Sequence, residues 1–211
     1  MLIGHFSDLH GNLKNLLAFE GKPDVWLNTG DLFPDCPEDP YIGTTPRGKT
    51  GLYQKQWFHK NKDAFLRKLD GVPLITCMGN HDAVDLHKYL EHLHPTYRLT
   101  PQGFDLLGVR WAGFGETPLE LDQVGLSELA TQTLSSNPQI VATHAPPSHV
   151  LCGSNPSWGL RGLNQLLEAG GHTVRMHFFG HVHEMGGIGD RKWGVQFVNG
   201  ACRVRGWHFE P

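Results

Sequence analysis

The chain lacks Cys-x-x-Cys pairs, blocks of basic residues and apolar runs long enough to cross a bilayer. Its four scattered cysteines argue against a structural zinc knuckle, and in 211 residues they do not indicate a disulfide scaffold. With a formal net charge of −3 and no basic block, the electrostatic footprint of a duplex nucleic acid binder is absent. Met1 runs directly into a short apolar strand, so we expect no signal peptide, no membrane association and a cytoplasmic protein.

The sequence also has no internal repeat, linker or low-complexity tract. We therefore expect one domain over residues 1–211, as a monomer or a homodimer. What the chain has in abundance is histidine, with 14 residues, several of them beside Asp, Gly or Asn. Neutral imidazole is the commonest metal ligand in proteins, so this composition is a first indication of metal binding.

The first thirty residues predict a strand, a helix and a second strand. An apolar run over residues 2–7 is followed by a helical pattern and then by the apolar segment Val25–Asn28. This order is typical of a βαβ unit and an α/β fold. A third buried strand is predicted over residues 74–78, and Gly79 is expected to let the backbone turn sharply where that strand ends.

Other segments are predicted from periodicity and turn residues. Residues 33–51 are rich in Pro and Gly and predict a long functional loop, and residues 53–69 predict an amphipathic helix. Residues 97–114 predict an antiparallel meander, and residues 195–199 and 204–209 predict a closing pair of hairpin-like strands. Helices are expected over residues 84–93, 128–134 and Arg161–Ala169.

Five predicted strands each end in a polar cluster. In chain order the clusters are Asp8-x-His10, Gly30-Asp31, Gly79-Asn80-His81-Asp82, Thr143-His144 and Gly180-His181-x-His183. Residues two apart on an extended backbone project to the same side, so each Asp/His or His/His pair can reach toward one site. Taken singly, Asp8 and Asp31 have an alternative role as helix caps or turn residues, and His144 as an ordinary strand-end histidine.

The donor types in these clusters predict two metal ions. Carboxylate, imidazole and amide oxygen suit Zn, Mn or Fe, and Asp31 is the natural bridge because one carboxylate can bind two ions. Two ions about 3.5–4 Å apart clamp a phosphoryl group and lower the pKa of a bound water toward about 7. The expected cofactors are therefore two divalent transition-metal ions, with manganese among the candidates.

In this order, the clusters resemble the calcineurin-like metallophosphoesterase superfamily over residues 8–183. The resemblance implies a four-layer α/β/β/α sandwich, with two mixed sheets flanked by helices and two metals at the strand ends. It assigns one metal to Asp8, His10, Asp31 and His183. It assigns the other to Asp31, Asn80, His144 and His181. His81 would be the catalytic donor, protonating the leaving alkoxide or a phosphate oxygen, while a metal-bridging hydroxide attacks phosphorus in line.

A narrower resemblance links the chain to the brain-expressed metallophosphodiesterases and their bacterial relatives, which are associated with cyclic nucleotides. It is carried by Thr143-His144-Ala145-Pro146-Pro147, by Gly180-His181-Val182-His183-Glu184 and by residues 197–202. The Ser/Thr protein phosphatase branch instead has Gly-Asp-x-x-Asp-Arg-Gly, whereas here Pro34 and Asp35 stand at the Asp and Arg positions. The phosphate-gripping Arg is missing, and Asp82 and Asp35 are the candidates for orienting His81.

We therefore expect a phosphodiesterase that hydrolyses small phosphodiesters such as cyclic nucleotides or nucleic-acid ends. Asn12, Arg47 and His149 are candidates for contacting the substrate, although Asn12 is equally compatible with a helix cap and Arg47 with a solvated charge. One alternative is a phosphomonoesterase acting on nucleotides or phosphoproteins. A second is a non-catalytic scaffold on the same fold.

Overall fold

The structure is a computed structural model that describes residues 1–38, 48–117, 119 and 121–210. The strands of the first sheet are β1 (Leu2–Phe6), β2 (Val25–Asn28), β3 (Leu74–Thr76), β4 (Thr96–Arg98) and β11 (Val204–His208). Those of the second are β5 (Phe104–Leu106), β6 (Val109–Phe114), β7 (Ile140–Thr143), β8 (Met176–Phe179), β9 (Gly189–Lys192) and β10 (Val195–Asn199). The helices are α1 (Lys14–Ala18), α2 (Gly48–Leu69), α3 (Leu86–Leu90), α4 (Gln123–Ser135) and α5 (Arg161–Ala169).

Both sheets are mixed. The first has the strand order β11-β1-β2-β3-β4, in which β1 to β4 run parallel and β11 is antiparallel to β1. The second has the order β5-β6-β7-β8-β10-β9, with four parallel central strands and an antiparallel strand at each edge. The carboxyl ends of the parallel strands of each sheet therefore share one edge, where α/β proteins place their ligand sites.

Three apolar clusters define four layers. The central cluster joins the inner faces of the two sheets, with Leu27 of β2 and Phe178 of β8 among its members. The neighbouring residue Trp26 belongs to the cluster under α1, α2 and α3, whereas Phe179 belongs to the cluster under α4 and α5. Successive side chains of a strand point to opposite faces, so each central strand contributes to two clusters. The predicted α/β/β/α sandwich of two mixed sheets is confirmed.

For several strands the predicted pairing partner is wrong. The predicted meander is divided between the sheets, because β4 lies parallel to β3 in the first sheet while β5 and β6 form a hairpin in the second. The closing strands do not pair with each other either, since β10 pairs with β8 and β9 whereas β11 pairs with β1. The strand β9 was not predicted, because Gly189–Lys192 is polar and mostly exposed at a sheet edge.

The helix boundaries also differ in part from the predictions. Helix α2 begins at Gly48, inside the segment predicted as a loop, and α3 is shorter than expected. Helix α4 begins earlier, at Gln123, behind an Asp122 cap whose side chain accepts a hydrogen bond from the Gly125 amide. The bounds of α5 are as predicted. Among the described residues, no helix combines the length and apolarity needed to cross a membrane.

Candidate metal centre

The five polar clusters converge at the shared edge of the two sheets. The clusters after β1, β2 and β3 come from the first sheet, and those after β7 and β8 come from the second. The sheets approach each other closely here, since Ser7 forms a parallel bridge with Ala201 and its carbonyl accepts a hydrogen bond from the Cys202 amide. Residues as distant in sequence as Asp8 and His183 are therefore brought into contact.

One group of possible ligands consists of Asp8, His10 and His183. The Nε2 atom of His183 lies 3.2 Å from Oδ1 of Asp8 and 3.3 Å from Nε2 of His10. The Asp8 carboxylate is buried and also accepts hydrogen bonds from the His181 amide. Three of the four residues predicted for the first metal thus present donor atoms to one point.

A second group consists of Asp8, Asp31 and His144. The Nε2 atom of His144 lies 3.2 Å from Oδ2 of Asp31 and 3.0 Å from Oδ1 of Asn80. The same Asn80 oxygen lies 3.0 Å from Nδ1 of His181. The four residues predicted for the second metal are therefore linked through close donor-atom contacts. The carboxylate common to both groups is Asp8, and the bridging role of Asp31 stays a prediction.

The tautomer of His144 favours a cation at this point. Its Nδ1 atom lies 2.7 Å from the carbonyl oxygen of Thr29, and a carbonyl can only accept, so Nδ1 carries a proton. In the neutral ring, Nε2 then has a lone pair that faces the Asp31 and Asn80 oxygens. These three acceptors would face one point once Nε2 has lost its proton, and a bound divalent ion would supply the positive charge between them.

The pKa values of the buried carboxylates also indicate that this site holds positive charge. Burial would raise the pKa of Asp31, but the neighbouring His144 outweighs it and lowers that pKa below its ordinary value. Burial likewise opposes the shift at Asp8, yet hydrogen bonding from His183 and the charge of His144 lower its pKa. In return, Asp31 and Asp8 overcome the effect of burial and raise the pKa of His144 to about 10. Without a metal ion, the protonated His144 ring thus balances one of the two buried negative charges, and a bound divalent ion would take the place of its Nε2 proton.

Two glycines permit the close approach of the loops. A Cβ atom at Gly180 would lie 2.1 Å from Oδ2 of Asp8, and one at Gly79 would lie 2.2 Å from Oδ1 of Asp31. The chain does turn sharply here, since the Asp82 amide donates to the Gly79 carbonyl, but φ at Gly79 is not positive, and the glycine also provides space beside the carboxylate. Glycine is needed where a backbone passes this close to a side chain.

Four predicted ligands have left-handed backbone conformations. The φ angle is 52° at Asp8, 44° at His10, 54° at Asp31 and 67° at His181. The paired residues are thus not on extended backbone, and they reach the site through tight turns instead. Non-glycine residues in this region cost roughly 1–3 kcal/mol each, and such strain clusters at functional sites. Neither Asp8 nor Asp31 caps a helix, since their carboxylates face the histidines.

His81 lies beside this cluster and is held by Asp35. The Nδ1 atom of the His81 ring lies 2.8 Å from Oδ1 of Asp35, and the ring centroid lies 4.8 Å from that of His10. His10, Asp35 and His81 form a third group with mutually close donor atoms. The His81 amide donates to Oδ1 of Asp31, so its backbone is tied to the predicted bridging carboxylate.

Asp82, the other predicted catalytic residue, has a different place. Its buried carboxylate accepts hydrogen bonds from the amides of Asp31, Phe33 and Gly79. Burial, reinforced by the negative charge of Asp31, raises the pKa of Asp82 to about 8. Of the two candidates for orienting His81, Asp35 is the one whose carboxylate is hydrogen-bonded to the imidazole ring. Asp82 instead connects the loops after β2 and β3 through its hydrogen bonds to their amides.

Gln54 is a residue of the site that no sequence motif indicates. It is buried on α2, and its Nε2 atom donates to the carbonyls of His81 at 2.8 Å and Pro34 at 3.3 Å. Its Oε1 atom accepts from the amide of Ala83. One side chain thus connects the loop of His81 to the loop of Asp35. Only its position on the buried side of an amphipathic helix, unusual for a glutamine, could have indicated this role.

The three predicted substrate residues are not part of the ligand groups. Asn12 is exposed, and its Oδ1 atom accepts from the amide of Lys14, the first residue of α1, although the N-cap position of this helix is Leu13. His149 is exposed with φ of 63°, and its carbonyl accepts from Lys192. Arg47 lies outside the described residues.

Comparison with known proteins agrees with this geometry. The family model for calcineurin-like phosphoesterases matches residues 1–185. Among solved structures, a dimetal phosphatase from Danio rerio is similar with a TM-score of 0.52 and 13% identity, covering 94% of this chain and 86% of that one. No match is found among curated proteins. The chain belongs to the calcineurin-like phosphoesterase family.

Membership of this family implies a dinuclear divalent metal site, and the residues present fit it. The two ligand groups share Asp8, and each contains at least one carboxylate and one imidazole. Oxygen and imidazole donors without thiolate suit borderline divalent ions rather than soft ones. Dimetal phosphoesterase chemistry is therefore the class of activity supported by both the family and the site.

Proposed function

We propose that the protein is a phosphodiesterase that hydrolyses small phosphodiesters of the nucleotide type, using two divalent transition-metal ions. The observation that carries this choice is Asp35. It stands where the protein phosphatase branch has an arginine, and it is hydrogen-bonded to His81. A carboxylate at this position repels a monoester dianion more strongly than a diester, which carries one negative charge.

The residues suggest how the ester bond is broken. When bound, the two ions would polarise the phosphoryl oxygens and supply a nucleophile from water at neutral pH. His81 donates Nδ1–H to Asp35, which leaves Nε2 free to carry the transferable proton. We assign to this nitrogen the protonation of the departing alkoxide, a role that contributes typically ~10²–10⁴-fold. Asp35 positions the ring, and Asp82 and Gln54 hold the loops that carry it.

The test compares bis(p-nitrophenyl) phosphate with p-nitrophenyl phosphate. Metal-stripped protein is reconstituted with Mn²⁺ and assayed beside His81→Ala and Asp31→Asn. We expect preference for the diester. Because p-nitrophenolate needs little protonation to leave, the loss of roughly 10²-fold in His81→Ala is expected for a diester with an alkoxide leaving group, such as a cyclic nucleotide, and a smaller loss for the nitrophenyl diester. Asp31→Asn should lose activity together with bound metal, which elemental analysis of the dialysed protein measures.

Preference for the monoester would reject the proposal and favour a phosphomonoesterase. The observation that favours a phosphomonoesterase is the similarity to a structure described as a dimetal phosphatase. If neither ester is hydrolysed with Mn²⁺, Fe²⁺ or Zn²⁺, both enzymatic functions are rejected. The non-catalytic scaffold would then be the function that is left.

A further inference from the structure

A large aromatic side chain stands exposed beside a predicted metal ligand. Trp158 retains 41% of its accessible surface, and its ring centroid lies 6.4 Å from that of His181. The two ring planes meet at 79°, so the imidazole does not stack on the face of the indole. We propose that Trp158 forms a stacking subsite for a nucleobase of the substrate, an inference that rests on the phosphodiesterase function proposed above.

The turn that carries Trp158 has a defined structure. Residues Pro156–Trp158 form one turn of 3-10 helix behind Asn155. The Oδ1 atom of Asn155 accepts hydrogen bonds from the amide and the hydroxyl of Ser157, and the Asn155 carbonyl accepts from the Trp158 amide. These local bonds fix the backbone from which the indole projects, so that little conformational entropy is lost when a ligand stacks on it.

The same turn is attached to the loop after β7. The Leu160 amide donates to the carbonyl of Pro146 at 2.8 Å, and the Ser148 amide donates to the carbonyl of Leu160. Gly159 passes so close to this loop that a Cβ atom there would lie 2.6 Å from the Cα of Ser148. Leu160 itself is buried in the cluster under α4 and α5. These contacts attach the turn of Trp158 to the loop that begins with His144, two residues before Pro146. The indole therefore has a fixed position relative to His144 as well as to His181.

An indole at this position suits a planar aromatic ligand. Tryptophan residues usually bury most of their surface, so a half-exposed indole at a catalytic edge has apolar area that a ligand can cover. Every nucleobase has a π face, and stacking of bases on aromatic side chains is largely independent of base identity. A substrate whose phosphorus lies at the ligand groups would have its attached nucleoside within reach of a side chain packed against His181.

The test compares two diesters with the same leaving group. Thymidine 5′-(p-nitrophenyl phosphate) has a base, whereas methyl p-nitrophenyl phosphate has none. We expect Trp158→Ala to lower kcat/KM for the thymidine ester roughly 10-fold more than for the methyl ester, mainly through KM. Trp158→Phe should recover most of the loss. Leu107→Ala is the control, because Leu107 is exposed on the β5–β6 turn, away from the carboxyl ends of the strands.

Equal losses on the two esters, or no recovery in Trp158→Phe, would overturn the subsite. If the wild-type protein hydrolyses neither ester, the proposed function fails, and calorimetry on Mn²⁺-loaded protein then decides the subsite separately. In that case the subsite requires thymidine 5′-phosphate to bind more weakly to Trp158→Ala while inorganic phosphate binds unchanged. A parallel loss for both ligands, or for neither, rejects it.

Discussion

Replacing Gln54 by leucine should destabilise the protein and the pairing of His81 with Asp35 together. The Gln54 amide satisfies three backbone groups, namely the carbonyls of Pro34 and His81 and the amide of Ala83. Leucine has a similar size but can neither donate nor accept a hydrogen bond. The three groups would lose this partner at a position where the side chain is fully buried.

The expected magnitude follows from these contacts. A buried polar group left without its partner costs roughly 1–3 kcal/mol, and water entering beside the partly exposed His81 offsets part of the total. We expect a loss of about 2–4 kcal/mol in the free energy of unfolding. For a chain of this size, that corresponds to a decrease in Tm of about 5–15 °C. Because a displacement near 1 Å of a catalytic group can cost ~10²-fold, kcat should fall by one to two orders of magnitude.

The assay is urea and thermal unfolding of metal-free protein, with diester hydrolysis of the Mn²⁺-loaded form measured in parallel. Gln56→Leu is the matched control, since Gln56 is exposed on the same helix two residues further on. If Gln54→Leu unfolds at the same denaturant concentration as Gln56→Leu and keeps its kcat, the bridging role is refuted.

Three further changes have distinct outcomes. Asp35→Asn should lower kcat roughly 10–100-fold with bound metal unchanged by elemental analysis, because Asp35 orients His81. Gly180→Ala should lower both Tm and metal content, because its Cβ would meet Asp8. His177→Phe should gain stability relative to wild type as pH falls. Burial lowers the pKa of His177 from 6.5 to about 3, so between these pH values only the unfolded chain binds that proton. Urea unfolding at pH 7 and pH 4.5 measures this difference, which we expect to be roughly 2 kcal/mol.

Each of these changes has a contradicting result. Loss of metal in Asp35→Asn would make Asp35 a ligand. For Gly180→Ala the control is Gly51→Ala, which adds a Cβ that meets no described residue within 4 Å and should stabilise α2 by about 0.5–1 kcal/mol. An equal response of the two glycine variants would show that the space beside Asp8 is not needed. A stability difference between wild type and His177→Phe that stays constant with pH would refute the cost of protonating His177.

The tautomer of His177 explains why its protonation is expected to be costly. Its Nε2 atom lies 2.8 Å from the hydroxyl oxygen of Thr143, which already donates its own proton to the carbonyl of Ala145. Nε2 must therefore donate, and Nδ1 is left as a buried lone pair with no hydrogen-bond partner among the residues that the structure describes. A proton added at Nδ1 would be buried without an acceptor.

The sequence predicted what depends on short stretches of chain. A buried strand followed at once by Asp, Asn or His can be recognised from a few residues, and the order of five such clusters indicated the fold class. The central α/β elements followed for the same reason. Strand pairing did not, because the apolar pattern of a short strand such as β4 or β11 is the same whichever sheet it joins. Its partner is selected by packing between residues far apart in the chain.

Within the site, the types of the predicted metal-binding side chains and their positions after the strands could be recognised from the residues alone. Which of their atoms meet depends on the folded structure. It selected Asp35 over Asp82 as the partner of His81, joined their loops through Gln54 and brought Trp158 beside His181. These contacts link residues separated by 20 or more positions, and no local periodicity encodes them. They exist because two sheets present their strand ends at a common edge, where burial requires each polar group to find a partner.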